Sequence, residues 1–253
     1  ALHSRGGPDG NIYVYRNIID LRRGVHRQRP TPENPAGEVT TYQIFLMHGR
    51  EFLGVESIYL YQNTFLSPSR PSDYALRTLT NTGPRTRRVS LNNIFVYLSN
   101  PPTFEASFVR TGLAETAHDI RIDGNLHWCM DGEVPTDLLP AVRACPASRR
   151  GEEKDRSVWE ASSFVADPGF RAMRREAAAE NDYRLLSNSR AIGSGTILPD
   201  ELEDPLRPAA GSKPDIGALP ADGPPFAVGR WGRVRFPIAG APEPRSAGPA
   251  AGS

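Results

Sequence analysis

Asparagine recurs at one position of a strand-like pattern in the first half of the chain. The stretch "IYLYQNTFL" (58–66) has the aromatic and β-branched residues of a half-buried strand, yet Asn63 lies near its centre. Asparagine is depleted in strands because its amide competes for backbone hydrogen bonds. Three further stretches repeat the arrangement: "IYVYRNIID" on Asn17, "VSLNNIFVY" on Asn93 and "IRIDGNLHW" on Asn125. The recurrence predicts one shared structural role for the four asparagines.

Each of these stretches predicts one extended unit that cannot bury its own face, so the units must stack to make a common core. Apolar residues before the asparagine are predicted to face that core: Ile12 and Val14, Ile58 and Leu60, and Ile120 and Ile122. In the third copy the alternation is displaced by one position, with Val89 and Leu91 as the apolar pair. Either Asn92 or Asn93 can therefore be the aligned asparagine.

The pattern resembles the right-handed parallel β-helix family of pectin-lyase-like repeat proteins. In that family an inward asparagine at a bend stacks on its copies in neighbouring rungs and satisfies buried backbone groups. The resemblance implies a structural ladder of Asn17, Asn63, Asn93 and Asn125. It also implies an all-β fold, a single right-handed parallel β-helix with an irregular, partly helical C-terminal cap.

The later part of the chain carries a second resemblance. "SFVADPGF" (163–170), "ENDYRLLSNSRAIGSGT" (180–196) and "KPDIGALP" (213–220) are similar to the ending of many bacterial β-helix proteins. The chain departs from that ending at Arg190, where proline is usual, and at Ser194, where aspartate is usual. Within the last two stretches, "DYRLLSNSRAIGSG" (182–195) and "PDIGALP" (214–220) are expected to pack against the C-terminal rungs. Asp215 is expected to accept hydrogen bonds from nearby backbone or arginine groups.

The domain organisation follows from these stretches. Residues 1–134 are predicted to form the rungs, and 135–236 the cap and closing segment of the same domain. Strong helix formers over Phe170–Asp182 favour a short helix within that cap. The Pro/Ala/Gly-rich residues 237–253 are expected to be disordered. The resemblance implies the C-terminal portion of a bacterial secreted protein, extracellular or periplasmic, although no signal peptide is visible in this chain.

Charge and cysteine content limit the partners. Among 253 residues, Lys and Arg total 30 and Asp and Glu total 29, a balance that gives no support to a nucleic-acid partner. No apolar run is long enough to cross a membrane. Cys129 and Cys145 are 16 residues apart, and a zinc site needs more ligands at closer spacing, so no metal site is predicted. Whether they are two free thiols or a disulfide stays open, as does the oligomeric state.

The candidate site is the outer face of the first two units, beneath the excursion Arg22–Gly54. If these units are adjacent, Tyr13 and Tyr15 stack against Tyr59 and Tyr61. Tyrosine rings stack on pyranose faces and guanidinium groups grip carboxylates, although such tyrosine pairs also stabilise ordinary sheets. The roles predicted are His48 as base, Arg50 and Arg23 as carboxylate binders, and Tyr13, Tyr15, Tyr59, Tyr61 and His26 as substrate-binding residues.

The resemblance implies carbohydrate as the substrate class. The expected activity is a polysaccharide lyase acting on uronate-containing glycan, rather than a glycoside hydrolase. A hydrolase needs two converging carboxylates, and Asp20, Glu51 and Glu56 are not seen to converge in the sequence. The alternative is a non-catalytic β-helix that binds glycan or serves as a surface scaffold. No cofactor is identifiable, and Ca²⁺ enters only through the family resemblance.

Overall fold

The computed structural model describes part of the chain. The described residues are 2–4, 10–20, 25–27, 31–32, 35, 38–40, 45–47, 55–67, 87–98, 119–134, 136, 139–140, 159–176 and 179–223. All of them belong to the first of two units into which the chain divides, Ala1–Gly223 and Pro224–Ser253.

The described part of the chain is built from short β-strands. They are β1 (Leu2–Ser4), β2 (Gly10–Tyr15), β3 (Ile18–Asp20), β4 (Val25–Arg27), β5 (Glu38–Thr40), β6 (Phe45–Met47), β7 (Val55–Tyr61), β8 (Thr64–Ser67), β9 (Arg87–Leu91), β10 (Ile94–Tyr97), β11 (Asp119–Asp123), β12 (Leu126–Cys129), β13 (Phe164–Val165), β14 (Phe170–Ala172) and β15 (Asp182–Leu185). The predicted all-β class is confirmed at this level.

Two parallel sheets contain most of these strands. One has the order β11-β9-β7-β2 and the other the order β13-β12-β10-β8-β3. Each strand of the first sheet leads through a short bend into a strand of the second, and we call each such pair a rung: β2–β3, β7–β8, β9–β10 and β11–β12. The rungs follow the same order in both sheets, so each rung is hydrogen-bonded along its length to the next.

A residue with left-handed backbone conformation makes the bend in every rung. These residues are Arg16 (φ 56°), Gln62 (φ 54°), Asn92 (φ 55°) and Gly124 (φ 66°), and Glu160 (φ 54°) continues the column beside β13. The backbone is rarely left-handed at non-glycine residues, because Cβ then approaches the following carbonyl oxygen. Glycine is required in the fourth rung, since a Cβ on Gly124 would lie 2.3 Å from Oδ1 of Asn92.

The residue after each bend is the aligned asparagine, and the side chains form a continuous hydrogen-bonded column. Nδ2 of Asn17 donates to Oδ1 of Asn63 (3.4 Å), Nδ2 of Asn63 to Oδ1 of Asn93 (3.0 Å), and Nδ2 of Asn93 to Oδ1 of Asn125 (3.2 Å). Each Oδ1 also accepts the backbone N–H of the asparagine in the preceding rung. The amides therefore satisfy the polar backbone at the bends.

The first position of this column differs from prediction. Asn63, Asn93 and Asn125 are fully buried, but Asn17 is exposed. Asn17 precedes β3, which is the edge strand of its sheet, so it has a neighbouring rung on one side only within the described residues.

The third rung explains the displaced alternation in the sequence. Its aligned asparagine is Asn93, and the core column of Val14, Leu60 and Ile122 passes through Ser90. Oγ of Ser90 accepts a hydrogen bond from Nδ2 of Asn93 at 3.2 Å, so this small polar residue is satisfied in the interior. Val89 and Leu91 therefore lie on the opposite face of β9, in register with Tyr59 and Tyr61.

The helix predicted over Phe170–Asp182 is wrong. β14 and β15 pair antiparallel instead, with Phe170 packed edge-on against the ring of Tyr183. The amide of Asn181 closes the hairpin, since Oδ1 accepts from the Arg174 N–H at 2.9 Å and Nδ2 donates to the Arg174 carbonyl at 3.2 Å. Aromatic packing and these bonds outweigh the helical propensity of the intervening residues.

Residues 191–223, which we call the closing segment, run back along the bends. They contact more than the C-terminal rungs: the Gly217 N–H donates to the Asn92 carbonyl (2.9 Å), and the Ala218 N–H donates to Oγ1 of Thr64 (3.1 Å). Gly217 has φ 102°, and a Cβ there would lie 2.5 Å from Cδ1 of Ile94. The expected role of Asp215 is confirmed, because its carboxylate accepts the N–H groups of Gly193 (2.9 Å) and Ala221 (2.8 Å).

Candidate functional site

The predicted tyrosine stacks are present on the outer face of the first two rungs. The ring centroids of Tyr13 and Tyr59 lie 4.7 Å apart with 6° between the planes, and those of Tyr15 and Tyr61 lie 5.0 Å apart with 10°. Both pairs are in direct register across β2 and β7. The first two copies of the pattern are therefore adjacent rungs, as expected.

The closing segment covers much of this face. Leu198 and Leu202 pack with Tyr59, Tyr61, Val89 and Leu91 in one buried cluster, and Tyr15 packs against its border. Tyr61 is 0% exposed and Tyr59 is 7% exposed, whereas Tyr13 keeps 46% of its surface exposed. Of the four tyrosines, Tyr13 alone presents its ring openly.

Tyr61 is further fixed by its hydroxyl, which donates to the carbonyl of Glu203 at 2.6 Å. Burial is the main cause that raises the pKa of Tyr61 well above its ordinary value, and the neighbouring Tyr15 and Asp204 act in the same direction. The phenol is therefore held neutral, as a hydrogen-bond donor inside the packed interface between the second rung and the closing segment.

The remaining predicted site residues cannot be placed beside the tyrosines. His48, Arg50 and Arg23 lie outside the described residues. His26 lies in β4, where its backbone is opposite Val39 of the antiparallel strand β5. The side chain of His26 is outside the described part of the structure. Their assigned roles stay predictions.

A buried polar cluster ends the asparagine column. Nδ2 of Asn125 donates to Oε2 of Glu160 at 3.1 Å, and the hydroxyl of Ser163 bonds the same carboxylate. Nε2 of His127 lies 3.1 Å from Oε1 of Glu160, and Nδ1 of His127 lies 2.9 Å from the hydroxyl of Tyr97. His127, the histidine of "GNLHW", is only 1% exposed. It stacks on Phe95 inside the fold at 5.2 Å.

A pocket of about 650 Å³ lies next to this cluster, beside β12 and β13. Its described lining combines aromatic residues, Trp128 and Phe164, with two carboxylates, Glu133 and Asp167. Ser163 also lines it, so one member of the buried cluster reaches the pocket wall. Sequence reasoning missed this site because its residues come from separate segments with no motif.

Cys129 also lines the pocket, and its thiol is buried and forms no disulfide within the described part of the chain. Burial raises the pKa of the Cys129 thiol, and the nearby positive charge of Arg175 opposes that effect. The thiol is therefore neutral at neutral pH and adds no charge to the pocket. Cys145 lies outside the described residues.

The described residues contain no group of three or more histidine, cysteine, aspartate or glutamate side chains arranged to hold a metal ion. They also contain no helix long and apolar enough to cross a membrane. Comparison of the chain with family models, curated proteins and solved structures found no match.

Proposed function

We propose that the chain is part of a right-handed parallel β-helix protein that binds glycan as a non-catalytic surface scaffold. The architecture is supported by the identical rung order of the two parallel sheets and by the column of left-handed bends. The right hand follows from the rule that crossover connections between parallel strands are right-handed. The resemblance of the asparagine pattern and the ending to extracellular or periplasmic β-helix proteins supports the same proposal.

One observation carries the glycan-binding part. Tyr13 lies on the edge strand β2 with an exposed ring, and the ring of Tyr59 stacks behind it at 4.7 Å. A flat ring that is already fixed from behind loses little conformational freedom when a pyranose stacks on its open side. Binding is favoured over cleavage on this face because the closing segment packs over Tyr59 and Tyr61.

The test is binding of the protein to a panel of neutral and acidic polysaccharides. Tyr13→Ala should weaken binding about tenfold, the change expected when one aromatic stacking contact of about 1.4 kcal/mol is lost. Leu186→Ala is the matched control, since Leu186 is an exposed apolar side chain (43%) outside both tyrosine stacks. Equal binding by wild type and Tyr13→Ala would refute glycan recognition at this ring.

The second candidate function is the uronate-directed polysaccharide lyase. It is favoured by the strand pair β4–β5, which gives the excursion Arg22–Gly54 an ordered backbone around His26. In this proposal His48 is the base, and Arg50 and Arg23 neutralise the uronate carboxylate, with Ca²⁺ as an additional neutraliser. Incubation with uronate polysaccharides, followed by the absorbance of unsaturated products, tests it with His48→Ala and a chelator as comparisons. Absence of products from wild type, or undiminished product formation by His48→Ala, would contradict this assignment.

A further inference from the structure

The pocket beside β12 and β13 has the size and the wall of a small-molecule site. It is an open cleft, and its volume of about 650 Å³ falls in the range of sites that hold a ligand of moderate size. The wall is largely apolar, with Trp128, Val134, Leu139 and Phe164 among the lining residues. A ligand that fills it therefore has an apolar body.

Negative charge dominates the polar part of the described wall. Glu133 and Asp167 both line the pocket, and no described lining residue is basic. Glu133 is exposed and makes no side-chain hydrogen bond or ion pair within the described part of the chain. Asp167 uses Oδ1 to accept the Gly169 N–H at 2.8 Å, which leaves Oδ2 for another donor.

Among the described residues, no arginine forms an ion pair with Glu133 or Asp167. Arg175 is paired with Asp131, which is outside the pocket lining. Arg190 lies over the ring of Phe164, with its guanidinium carbon 5.0 Å from the ring centroid. The second contact shows that an aromatic ring of this wall already attracts a cation on one face.

We propose that this pocket binds an organic cation, an ammonium or guanidinium group carried on an apolar body. The carboxylates of Glu133 and Asp167 attract the charged group, the indole of Trp128 adds a cation–π contact, and the apolar residues enclose the body. The same two carboxylates repel anionic ligands, including uronates. The site is separate from the exposed face of Tyr13, so it does not depend on the proposed glycan function.

Phenethylamine and two analogues test the proposal, because they share one apolar body and differ in the terminal group. Isothermal titration should show phenethylamine binding about tenfold more tightly than 2-phenylethanol, with 3-phenylpropionate the weakest. The preference for the amine should fall as ionic strength rises. Trp128→Leu should weaken the binding of both the amine and the alcohol.

The variant Glu133→Gln/Asp167→Asn isolates the charge. It removes two exposed charges with little change of shape, and thermal unfolding checks that it folds like wild type. It should abolish the preference for the amine while the alcohol binds as before. Asp222→Asn, at an exposed aspartate outside the pocket lining, is the control and should keep the preference. Equal binding of amine and alcohol by wild type, no binding of any of the three, or a preference that survives the double change would overturn the proposal.

Discussion

Arg16 and Asp204 form a buried bidentate ion pair between the first rung and the closing segment. Nε of Arg16 lies 3.0 Å from Oδ1 of Asp204 and Nη2 lies 2.7 Å from Oδ2. The two side chains are 5% and 0% exposed. Nη1 of Arg16 also donates to the carbonyls of Gly217 (3.1 Å) and Ala218 (3.3 Å). One guanidinium therefore joins two distant parts of the closing segment to the bend of the first rung.

Removing either partner of this pair should release the closing segment. Arg16→Met should lower the free energy of unfolding by about 3–5 kcal/mol, because it leaves the Asp204 carboxylate buried without its partner. Hydrogen exchange should rise at the amides of Ala218 and Leu206. The double variant Arg16→Met/Asp204→Leu should recover part of the loss in denaturant titrations. If the single and double variants were equally unstable, the pair would not be the source of the effect.

The asparagine column should contribute more to the stability of the fold at its buried middle positions than at its exposed first position. Asn63→Ala should destabilise the fold by about 1–3 kcal/mol, since it leaves the buried carbonyl of Val14 and the Asn17 N–H without their partner. Asn17→Ala is the matched control and should change stability by about 0.5 kcal/mol or less, because that side chain is exposed. Urea titration measures both values, and similar losses at the two positions would contradict the burial argument.

Replacing the Gln62 side chain with an apolar one should stabilise the fold, unlike the changes at Arg16 and Asn63. Its side chain is 0% exposed, and neither Nε2 nor Oε1 has a hydrogen-bond partner within the described ranges. Gln62→Met keeps the length and the backbone strain but removes the unpaired amide, so it should raise the free energy of unfolding by about 1–3 kcal/mol. Gln62→Glu should lower it, because a carboxylate is harder to desolvate. A loss of stability in Gln62→Met would mean that the amide is satisfied by a bound water molecule.

Tyr61 should make the fold sensitive to alkaline pH. Its pKa is raised in the folded state, mainly by burial, so the neutral phenol is the form that the fold stabilises. This contribution is complete below the unfolded pKa of about 10 and is lost as the pH rises from there toward the folded value. The free energy of unfolding, measured between pH 9 and 12, should fall less steeply in Tyr61→Phe. At neutral pH that variant should lose about 1 kcal/mol with the bond to Glu203. Identical slopes for the two proteins would exclude Tyr61 as the cause.

Local patterns were enough to predict the rungs. Alternation before each asparagine identified the register of Val14, Leu60 and Ile122, and the stack of Tyr13 on Tyr59 followed from the adjacency of the first two copies. These features depend on residues close in sequence and on the period of a strand. Local patterns do not decide between Asn92 and Asn93 as the aligned asparagine, because both side chains are buried and hydrogen-bonded.

The missing information was long-range. The side chain of Asn92 bonds the distant backbone of Thr196: Oδ1 accepts the Thr196 N–H at 2.7 Å, and Nδ2 donates to the Thr196 carbonyl at 2.7 Å. Likewise, Leu198 and Leu202 bury the face of Tyr61, and the residues close to Tyr61 in sequence do not predict this contact. The helix expected over Phe170–Asp182 failed for the same reason, since the pairing of β14 with β15 overrode local propensity.

The asparagine column has a chemical direction. Every amide-to-amide bond of the column runs the same way, from Nδ2 of the earlier rung to Oδ1 of the later one, so an identical unit could follow any Asn rung. At Glu160 the pattern meets an ionisable carboxylate that accepts from Asn125 and returns no amide proton. A carboxylate has no N–H donor to pass on to a further rung, so the amide-to-amide bonding ends at this bend, while β13 still extends the second sheet by one strand.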